Sequence, residues 1–499
     1  MTRPNILVIC SDQHHPLMSG YRGHPYVETP NLDALAASGT AFTNAYCNSP
    51  VCVPSRMSFM TGKYASDVDS WFLYIPLDRA ETTWAHRLES AGVPATMLGK
   101  LDLCGDYQDA GFGEHKIIER RPAWSPYPRR TPLLDRLDGY VRPDKRAHIM
   151  NSGVRAGLIT DGSDGHNDKY GFYDHDRIVT DWAVDYLRDK GRGDRDQPWA
   201  LYVGLLFPHW PYCVPQEYFD RYYPDNIELP FDASFPNESL HPALRHFQRG
   251  QGIDGLTEED VRRTVAAYYG MITALDDRIG QIIDELKVQG LYDDTYVIYT
   301  SDHGESLGEH GLFYKQCSYE GSVGVPLIVR GPGLAMGEAC EEPVSLVDLY
   351  PTVLDMAGLE TESDRRGHSL LPLARGGEQV REFVFSEFHG NFFKDSWYMI
   401  RKGDYKYTHY CNERPSLYDL AADPQEMNDL AADPRYQEIV AELEALLRTQ
   451  VDPEATALRA KHDLGLIGPD GEDYTRTLTV TDVHEGRRTG RFEPEPELK

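Results

Sequence analysis

Short apolar segments alternate with longer segments of helical periodicity along most of the chain. The apolar segments, each of roughly four to eight residues, are typical of buried β-strands; they are NILVI, ATMLG, ALYVGLLF, TYVIYTSD and VPLIVRG. Between them, TPNLDALAASG predicts a helix with Thr29 as N-cap and Pro30 in the first helical position, and a long helix is predicted from Thr257 to Gly290. Alternating strands and helices predict an α/β fold around a mostly parallel sheet.

The pattern changes after residue 378. The segments FVFSEF, WYMIRKGDYKYTHY and SLYDL lie closer together, alternate apolar with polar residues and include a Gly403-Asp404 turn, and one helical segment, YQEIVAELEALLRTQ, follows them. We therefore predict a large first domain (1–378), a smaller C-terminal domain (379–452) with an antiparallel sheet and one helix, and an extended tail (453–499). The tail is polar and weakly periodic, which favours disorder or packing on a partner subunit.

Composition narrows the class of protein. The chain has 499 residues, 40% of them hydrophobic, which is enough for a large core. With 50 basic and 79 acidic residues the net charge is −29, so we expect no nucleic acid partner and no membrane partner. No apolar stretch approaches the roughly 20 residues of a membrane span, and the first residues lack a signal-peptide pattern, so a cytoplasmic location is expected.

The eight cysteines are scattered without C-x-x-C spacing. This distribution argues against a zinc ribbon and against a disulfide framework.

Two polar pairs directly follow two of the predicted strands. Asp12 and Gln13 come after NILVICS, and Asp302 and His303 come after TYVIYTS. Open α/β sheets place ligands at the carboxyl ends of their strands, so the two pairs could converge on one divalent cation. Carboxylate and amide oxygens suit hard cations, and manganese or zinc also accepts imidazole. The simpler alternative is that each aspartate caps the turn after its strand.

A third motif favours the metal site over the capping alternative. The stretch NSPVCVPSRMSFMTGKY contains Cys52, Pro54, Ser55 and Arg56, followed by a Thr61-Gly62 pair. It resembles the C-x-P-S-R signature of the type I sulfatases of the alkaline phosphatase superfamily. Further motifs resemble that family in the same order over roughly residues 3 to 450; they include RPNILVICSDQ, FPHWPY, SDHGESLGEHGLFYK, VPLIVRGPG, LVDLYPTVLDMAG and SLYDLAADPQE. The choline-sulfatase and phosphonate monoester hydrolase branches, whose last metal ligand is histidine, look nearest.

The resemblance implies a fold, a modified residue and a metal. The fold is an alkaline-phosphatase-like central sheet flanked by helices, with the catalytic site in the first domain. A formylglycine-generating enzyme would convert Cys52 to formylglycine, and one hydroxyl of the aldehyde hydrate would attack sulfur while deprotonation of the other would expel sulfate. The resemblance also implies one divalent cation, calcium or alternatively manganese; its ligands would be Asp12, Gln13, Cys52, Asp302 and His303. Taken alone, Cys52 is equally interpreted as a buried structural cysteine.

Other site residues follow from the same resemblance. Lys100 and Lys315 match the lysines that bind the sulfuryl oxygens, and Arg56 is expected to hold the hydrate through charge-assisted hydrogen bonds. His209, in FPHWPYCVP, matches the histidine that gives a proton to the leaving group.

One position departs from the family pattern. Where the family usually has G-K-x-H, this chain has Gly99-Lys100-Leu101-Asp102. Asp102 is therefore a candidate substitute for the missing base, with His310 or His14 as alternatives; a third possibility is a slow second step with an unusual substrate. In other respects His14, His15, His166 and His175 are expected to be ordinary surface residues.

The function predicted from the sequence is hydrolysis of a small anionic sulfate monoester by a homo-oligomeric enzyme. Two alternatives stay open: hydrolysis of phosphonate monoesters or phosphodiesters at the same site, since both groups are tetrahedral oxyanions, and a non-catalytic binding homologue, which the change at Asp102 motivates.

Overall fold

The computed structural model of the protein describes residues 3–73, 75–104, 107–117, 172–193, 195–235, 237–250, 253, 256–378, 381–390, 395–464 and 466–467. The strands are β1 (Asn5–Ser11), β2 (Thr40–Phe42), β3 (Ala45–Tyr46), β4 (Ala95–Gly99), β5 (Glu114–Lys116), β6 (Ala200–Gly204), β7 (Thr295–Ser301), β8 (Gly324–Val325), β9 (Leu327–Arg330), β10 (Glu338–Cys340), β11 (Val344–Ser345), β12 (Val384–Phe388), β13 (Trp397–Lys402), β14 (Tyr405–Tyr410) and β15 (Ser416–Asp419).

The α-helices are α1 (Pro30–Ala37), α2 (Cys52–Thr61), α3 (Trp84–Ser90), α4 (Phe172–Arg192), α5 (Gln216–Phe219), α6 (Pro242–Gly250), α7 (Glu258–Val288), α8 (Glu320–Val323), α9 (Leu349–Met356), α10 (Leu371–Ala374), α11 (Gln437–Gln450) and α12 (Pro453–Asp463). The two helices predicted from Pro30 and after Thr257 begin where the sequence indicates. The longer one, α7, starts with a reciprocal cap between Thr257 and Asp260 and ends just before Gly290, whose φ is +64°.

An eight-stranded sheet forms the centre of the molecule. Its strand order is β10-β2-β9-β7-β1-β6-β4-β5. Strand β9 runs antiparallel to both of its neighbours, β2 and β7, and the other neighbouring pairs are parallel. Each of the five strand segments predicted from the sequence overlaps a β-strand of the central sheet, although ALYVGLLF extends beyond the end of β6 at Gly204, and the prediction of a mostly parallel sheet is confirmed.

Helices cover both faces of this sheet, as the buried strand β1 shows. Ile6, Val8 and Cys10 pack into one apolar core, together with residues of α2, α3 and α9. Leu7 and Ile9 pack into a second core on the other face, together with residues of α1, α4 and α7. Because alternate residues of a strand point to opposite faces, the continuous apolar run NILVI is what a strand between two helical layers requires.

The C-terminal sheet is antiparallel, in the order β12-β13-β14-β15. Helix α11 packs against it through Leu443 and Leu447, which share a core with Phe385, Tyr398 and Ile400. The antiparallel sheet and its helix are confirmed, whereas the boundaries 1–378 and 379–452 stay predictions. A small sheet of β11, β3 and β8 lies within the first of these ranges.

Helix α12 lies in the segment predicted to be an extended tail. Its Asp463 Oδ2 accepts a 2.8 Å hydrogen bond from the indole of the buried Trp71, and Arg459 pairs with Asp69 and donates to the carbonyl of Ser66. Residues 453–463 therefore fold onto their own chain, against the expectation of disorder or of packing on a partner. The helix was missed because its buried apolar residues include small alanines, which give a weak periodic signal. The tail beyond residue 467 lies outside the described residues.

Within the part of the chain that the structure describes, no helix combines the length and the apolar composition of a membrane span.

We expect helix α12 to stabilise the fold through the loop that follows α2. A chain ending at Val451 should unfold at a lower temperature than a chain ending at Ile467, by at least about 2 °C, because Trp71 loses its hydrogen-bond partner and apolar contacts with α12 are lost. Thermal unfolding monitored by circular dichroism measures the difference. Equal midpoints for the two chains would show that the contacts of α12 with residues 66–71 do not contribute.

Candidate active site

The ends of two neighbouring central strands bring the two predicted polar pairs together. Strands β1 and β7 are parallel, and Ser11 lies opposite Ser301 in their register. The next residues, Asp12 and Asp302, therefore leave the sheet side by side, and both are fully buried. The parallel register explains why two sequence-distant carboxylates meet at one edge of the sheet.

Cys52 is the first residue of α2 and faces this edge. Its Sγ lies 3.8 Å from Asp12 Oδ1 and 3.4 Å from His303 Nε2, and the residue is 2% exposed. Burial, reinforced by the charge of Asp12, raises the pKa of the Cys52 thiol to about 12. An unmodified thiol in this place is therefore protonated at neutral pH and is a poor nucleophile.

Four side chains converge with the spacing of metal ligands. One potential ligand atom from each of Asp12, Cys52, Asp302 and His303 lies within 4.8 Å of all the others. Burial lowers the pKa of His303 to about 4, so its ring is neutral, and Nδ1 lies 3.0 Å from the carbonyl of Gly304. This contact makes Nδ1 the protonated nitrogen and leaves the lone pair of Nε2 facing the cluster. The donor set suits a divalent cation.

The fully buried Arg56 holds the two carboxylates in place. A guanidinium has five N–H donors, and in this structure each has an acceptor. The acceptors are Asp302 Oδ2 (2.9 Å), the carbonyl of Lys100 (2.9 Å), the hydroxyl of Tyr202 (2.8 Å), Asp12 Oδ2 (3.2 Å) and the carbonyl of Ser11 (3.4 Å). Arg56 therefore holds the carboxylates of Asp12 and Asp302 in place, and its expected role in holding the hydrate stays a prediction.

Ser55, the serine of the signature, contacts the end of the same strand, β7. Ser55 Oγ donates to the backbone carbonyl of Asp302. The S-R pair of C-x-P-S-R thus joins the start of α2 to the end of β7 and so aligns Cys52 with Asp302 and its neighbours.

Two lysines reach the site, and their partners differ. Lys100 Nζ lies 2.5 Å from Asp12 Oδ2 and 3.4 Å from Asp102 Oδ2. Lys315 Nζ contacts the amide oxygen of Gln13 and lies 2.8 Å from His209 Nε2. Lys100 therefore contacts two carboxylates, whereas Lys315 contacts an amide and an imidazole.

Close backbone packing sets the position of Lys100. The preceding residue, Gly99, has a φ of +83°, and a Cβ at this residue would lie 2.2 Å from the carbonyl of Gly204. A Cβ at Gly204 would in turn lie 1.8 Å from the carbonyl of Lys100. Only glycine fits at either position, so the glycine of the G-K pair is a requirement of the turn at the ends of β4 and β6.

His209 lies beside Lys315 at the more open side of the site. Burial and the charge of Lys315 hold the pKa of His209 well below its usual range, and its Nδ1 contacts the carbonyl of Trp210. The neutral ring therefore accepts the hydrogen bond from Lys315 at Nε2, and the proton between them lies on Lys315. Asp176 accepts from the backbone N–H groups of Leu206 and Phe207 and so fixes the loop before His209.

The three candidate bases, Asp102, His14 and His310, have different contacts in the structure. Asp102, with a φ of +62°, contacts Lys100, whose Nζ also pairs with Asp12. His14 Nδ1 lies 2.6 Å from the hydroxyl of Tyr299 and its Nε2 contacts the carbonyl of Met18, while His310 stacks on Tyr319 with a ring distance of 3.9 Å. These contacts favour Asp102, whose role as base stays a prediction.

The expectation of surface histidines was wrong for three of the four. His14 and His15 are at most 2% exposed and His175 is 6% exposed; His166 lies outside the described residues. Each of the three has polar partners within the fold, which the polar composition of their sequence surroundings does not reveal.

Gln13 and Glu305 are hydrogen-bonded to each other beside the four clustered side chains. Gln13 donates from its backbone N–H to Asp302 Oδ1 (3.2 Å), and its side-chain amide donates to Glu305. Its amide oxygen, which accepts from Lys315, has a second lone pair, and metal binding by Gln13 stays a prediction. Glu305 was missed, although it lies two residues after His303 in SDHGESLGEHG, because only its fold contacts reveal it.

Glu305 also orients the segment that carries Lys315. Its Oε1 accepts from the backbone N–H groups of Leu307 (2.8 Å) and Tyr314 (2.6 Å), and Tyr314 directly precedes Lys315. The buried carboxylate therefore links the metal-binding loop to the lysine.

The C-terminal sheet supports the loop after His303 through α8. The carbonyls of Gly321 and Ser322 accept from the N–H groups of Glu305 (2.7 Å) and Gly304 (2.9 Å). At the start of α8, Glu320 pairs with Lys406 of β14 (2.8 Å), a residue with no exposed surface. Lys406 also pairs with Glu426 (2.6 Å), which accepts from the N–H of Glu320. The smaller sheet thus takes part in positioning the site.

Comparison with known proteins identifies the family. A family model described as Sulfatase matches residues 4–359, and one described as N-sulphoglucosamine sulphohydrolase, C-terminal, matches residues 308–452. Arylsulfatase K of Bos taurus is 34% identical over 481 residues, which cover 91% of this chain and 83% of the relative. Choline-sulfatase of Rhizobium meliloti (strain 1021) is 33% identical over 444 residues, which cover 87% of this chain and 83% of the relative.

Solved structures share the fold. Phosphonate monoester hydrolase of Agrobacterium radiobacter superposes with a TM-score of 0.74 at 26% identity, covering 94% of this chain and 99% of the other. BT4656, solved in complex with its substrate D-glucosamine-2-N,6-O-disulfate, superposes with a TM-score of 0.72 at 22% identity, covering 92% of this chain and 99% of the other. These likenesses bear out the predicted alkaline-phosphatase-like fold.

The chain belongs to the sulfatase family. It is a type I sulfatase, an enzyme that hydrolyses sulfate esters. The predicted family and enzyme class are confirmed, and the alternative of a non-catalytic homologue is set aside.

We expect Arg56→Lys to weaken metal binding. A lysine cannot supply the five directed donors that align Asp12 and Asp302, so the affinity for calcium or manganese should fall about 10- to 100-fold. Isothermal titration of metal-free protein should find one site per chain in the unmutated enzyme and weaker binding in the variant.

Arg381→Lys is the matched control, because Arg381 is also buried and pairs with Asp348, which is not among the clustered metal-binding groups. Thermal unfolding of both variants separates loss of folding from loss of binding. Unchanged affinity in Arg56→Lys would contradict the assigned role.

Proposed function

We propose that the protein hydrolyses a sulfate monoester with a formylglycine hydrate at position 52 and one divalent cation. The observation that carries the proposal is the position of Cys52 at the start of α2, with Sγ within 4 Å of Asp12 and His303 and in the cluster that these residues form with Asp302. A protonated thiol at this position is a poor nucleophile, whereas an oxygen nucleophile at the same position would be next to a cation.

The cation would be held by Asp12, Asp302 and His303, with Gln13 and the modified Cys52 completing the set; calcium suits the carboxylates, and manganese is the alternative. When bound, such a cation lowers the pKa of a hydroxyl beside it and offsets negative charge on the ester oxygens. The residues of this chain supply the rest: Arg56 orients both carboxylates, and the protonated Nδ1 of His303 keeps its Nε2 free to coordinate.

The modification explains the choice of cysteine. An aldehyde hydrate carries two hydroxyls on one carbon, so one serves as nucleophile and deprotonation of the other releases sulfate without a second attack on sulfur. A formylglycine-generating enzyme is the partner that this requires. The Cys52 thiolate itself is disfavoured by burial and by the neighbouring Asp12.

Lys100 and Lys315 would bind the sulfuryl oxygens, where charge develops during the reaction. The leaving oxygen would take its proton from the Lys315–His209 pair, in which Nζ and Nε2 lie 2.8 Å apart. This assignment modifies the expectation that His209 alone is the acid, because its low pKa leaves it neutral in this structure.

The substrate is proposed to be a small anionic sulfate ester. The relatives are named for aryl and choline sulfates, and one structural neighbour binds a glucosamine disulfate. The neighbouring phosphonate monoester hydrolase supports a second activity toward phosphonate monoesters or phosphodiesters at the same site. Cytoplasmic location and homo-oligomeric assembly stay predictions from the sequence.

A substrate panel tests the proposal. Enzyme co-expressed with a formylglycine-generating enzyme is assayed with aryl, choline and sugar sulfates and with phosphonate monoesters and phosphodiesters, before and after chelation. We expect the highest kcat/KM with a sulfate ester, loss of activity on chelation and an aldehyde mass for the Cys52 peptide. An unconverted peptide with full activity would refute the mechanism.

We predict that Cys52→Ala abolishes turnover without unfolding the protein, because the residue supplies the nucleophile and alanine suits the first turn of a helix. Cys52→Ser should attack once and then stop, since a single hydroxyl cannot collapse to an aldehyde, so intact mass spectrometry should show a trapped sulfated chain. Comparable turnover in Cys52→Ala would contradict the mechanism; the absence of an adduct in Cys52→Ser would count against its second claim alone.

If Asp102 is the base that releases sulfate, Asp102→Asn should slow the second half of the reaction only. We expect a burst of alcohol equal to the enzyme concentration, followed by a reduced steady rate, because covalent enzyme accumulates. Asp102→His, which restores the family residue, should remove the burst. A wild-type steady rate in Asp102→Asn without covalent enzyme would exclude this role.

A further inference from the structure

Lys100 pairs with two carboxylates, those of Asp12 and Asp102. Asp12 belongs to the metal-binding group, whereas Asp102 stands where the family usually has a histidine. Lys100 is therefore a cation flanked by two carboxylates, 2.5 Å from Asp12 Oδ2 and 3.4 Å from Asp102 Oδ2. Lys315, by contrast, contacts an amide and a neutral imidazole.

This arrangement limits the positive charge available to a reacting group. Asp12 and Asp302 already pair with Arg56. Asp102, which pairs with Lys100, adds a third carboxylate to the site. Lys100, Asp12 and Asp102 are at most 11% exposed at their side chains, so solvent screens their interactions weakly. A histidine at position 102 would leave the site at least one charge more positive.

Ester groups differ in the charge that they bring. A sulfate monoester, a phosphonate monoester and a phosphodiester each carry one negative charge at neutral pH, whereas a phosphate monoester carries nearly two because its second pKa is about 6. A sulfate monoester and a phosphate monoester are tetrahedral groups of the same shape, so charge is the property on which a site can discriminate between them.

We propose that Asp102 is a specificity-determining residue that makes the site selective for reacting groups with a single negative charge and excludes phosphate monoesters. The inference rests on the proposed function and deepens it. The carboxylate repels a dianion more strongly than a monoanion and weakens the attraction that Lys100 offers, so its removal favours the dianion.

The test is the ratio of kcat/KM for 4-nitrophenyl sulfate to that for 4-nitrophenyl phosphate in the converted holoenzyme. This quantity reports the path from free enzyme to the first irreversible step, so it is independent of sulfate release, in which Asp102 is also a candidate base. We expect the ratio to fall at least tenfold in Asp102→Asn and in Asp102→His. Asp102→Glu, which keeps the charge, should retain most of the selectivity.

Asp189→Asn is the matched control, because it makes the same change in net charge at a side chain that is 81% exposed in α4. It should leave the ratio unchanged. If phosphate turnover by the unmutated enzyme is too slow to measure, the Ki of 4-nitrophenyl phosphate against sulfate hydrolysis replaces it; the Ki should fall at least tenfold in Asp102→Asn and stay constant in Asp189→Asn.

An unchanged ratio and Ki in both neutralising variants would overturn the inference, as would an equal loss of selectivity in Asp102→Glu. Failure of the proposed function has a different signature: the unmutated enzyme would then hydrolyse the sulfate no faster than the phosphate, before any substitution at position 102.

Discussion

The site depends on one buried guanidinium between two buried carboxylates. Arg56, Asp12 and Asp302 have no exposed side-chain surface, and they belong to three separate elements, α2, the end of β1 and the end of β7. Removing one partner from such a group leaves an uncompensated buried charge, at a cost of about 3–5 kcal/mol. Helix α2 therefore cannot shift relative to the ends of β1 and β7 without breaking these contacts. The relative position of Cys52 and the two carboxylates is thus fixed by the packing of the sheet.

The smaller domain adds a second constraint on the same loop. The buried Lys406 holds Glu320 at the start of α8. Helix α8 in turn holds Gly304 and Glu305 through two backbone hydrogen bonds. Gly304 allows this approach because a Cβ there would lie 2.0 Å from the carbonyl of Gly321. The C-terminal sheet is thus part of the catalytic unit, although its strands supply none of the clustered metal-binding groups.

Local patterns made much of this predictable from the sequence. The run NILVICS with Asp12 after it contains both a strand and the polar group at its end, and C-V-P-S-R names the nucleophile position directly. The partners of Arg56 were not predictable, because they come from residues 44 to 246 positions away and depend on strand order. The same holds for Glu305 and for α12, whose anchoring to Trp71 spans 392 positions. Charge pairs between distant segments leave no periodic trace in a sequence.

The complete burial of α2 bears on when the proposed modification of Cys52 can take place. Every residue from Cys52 to Thr61 is buried, so a modifying enzyme would have no access to the Cys52 thiol once this helix has packed against the sheet. Conversion would then compete with folding in the newly made chain, and a molecule that folds first would be locked in the thiol form. The active fraction of a preparation would be fixed during synthesis, and later incubation of the folded protein with the modifying enzyme would not raise it.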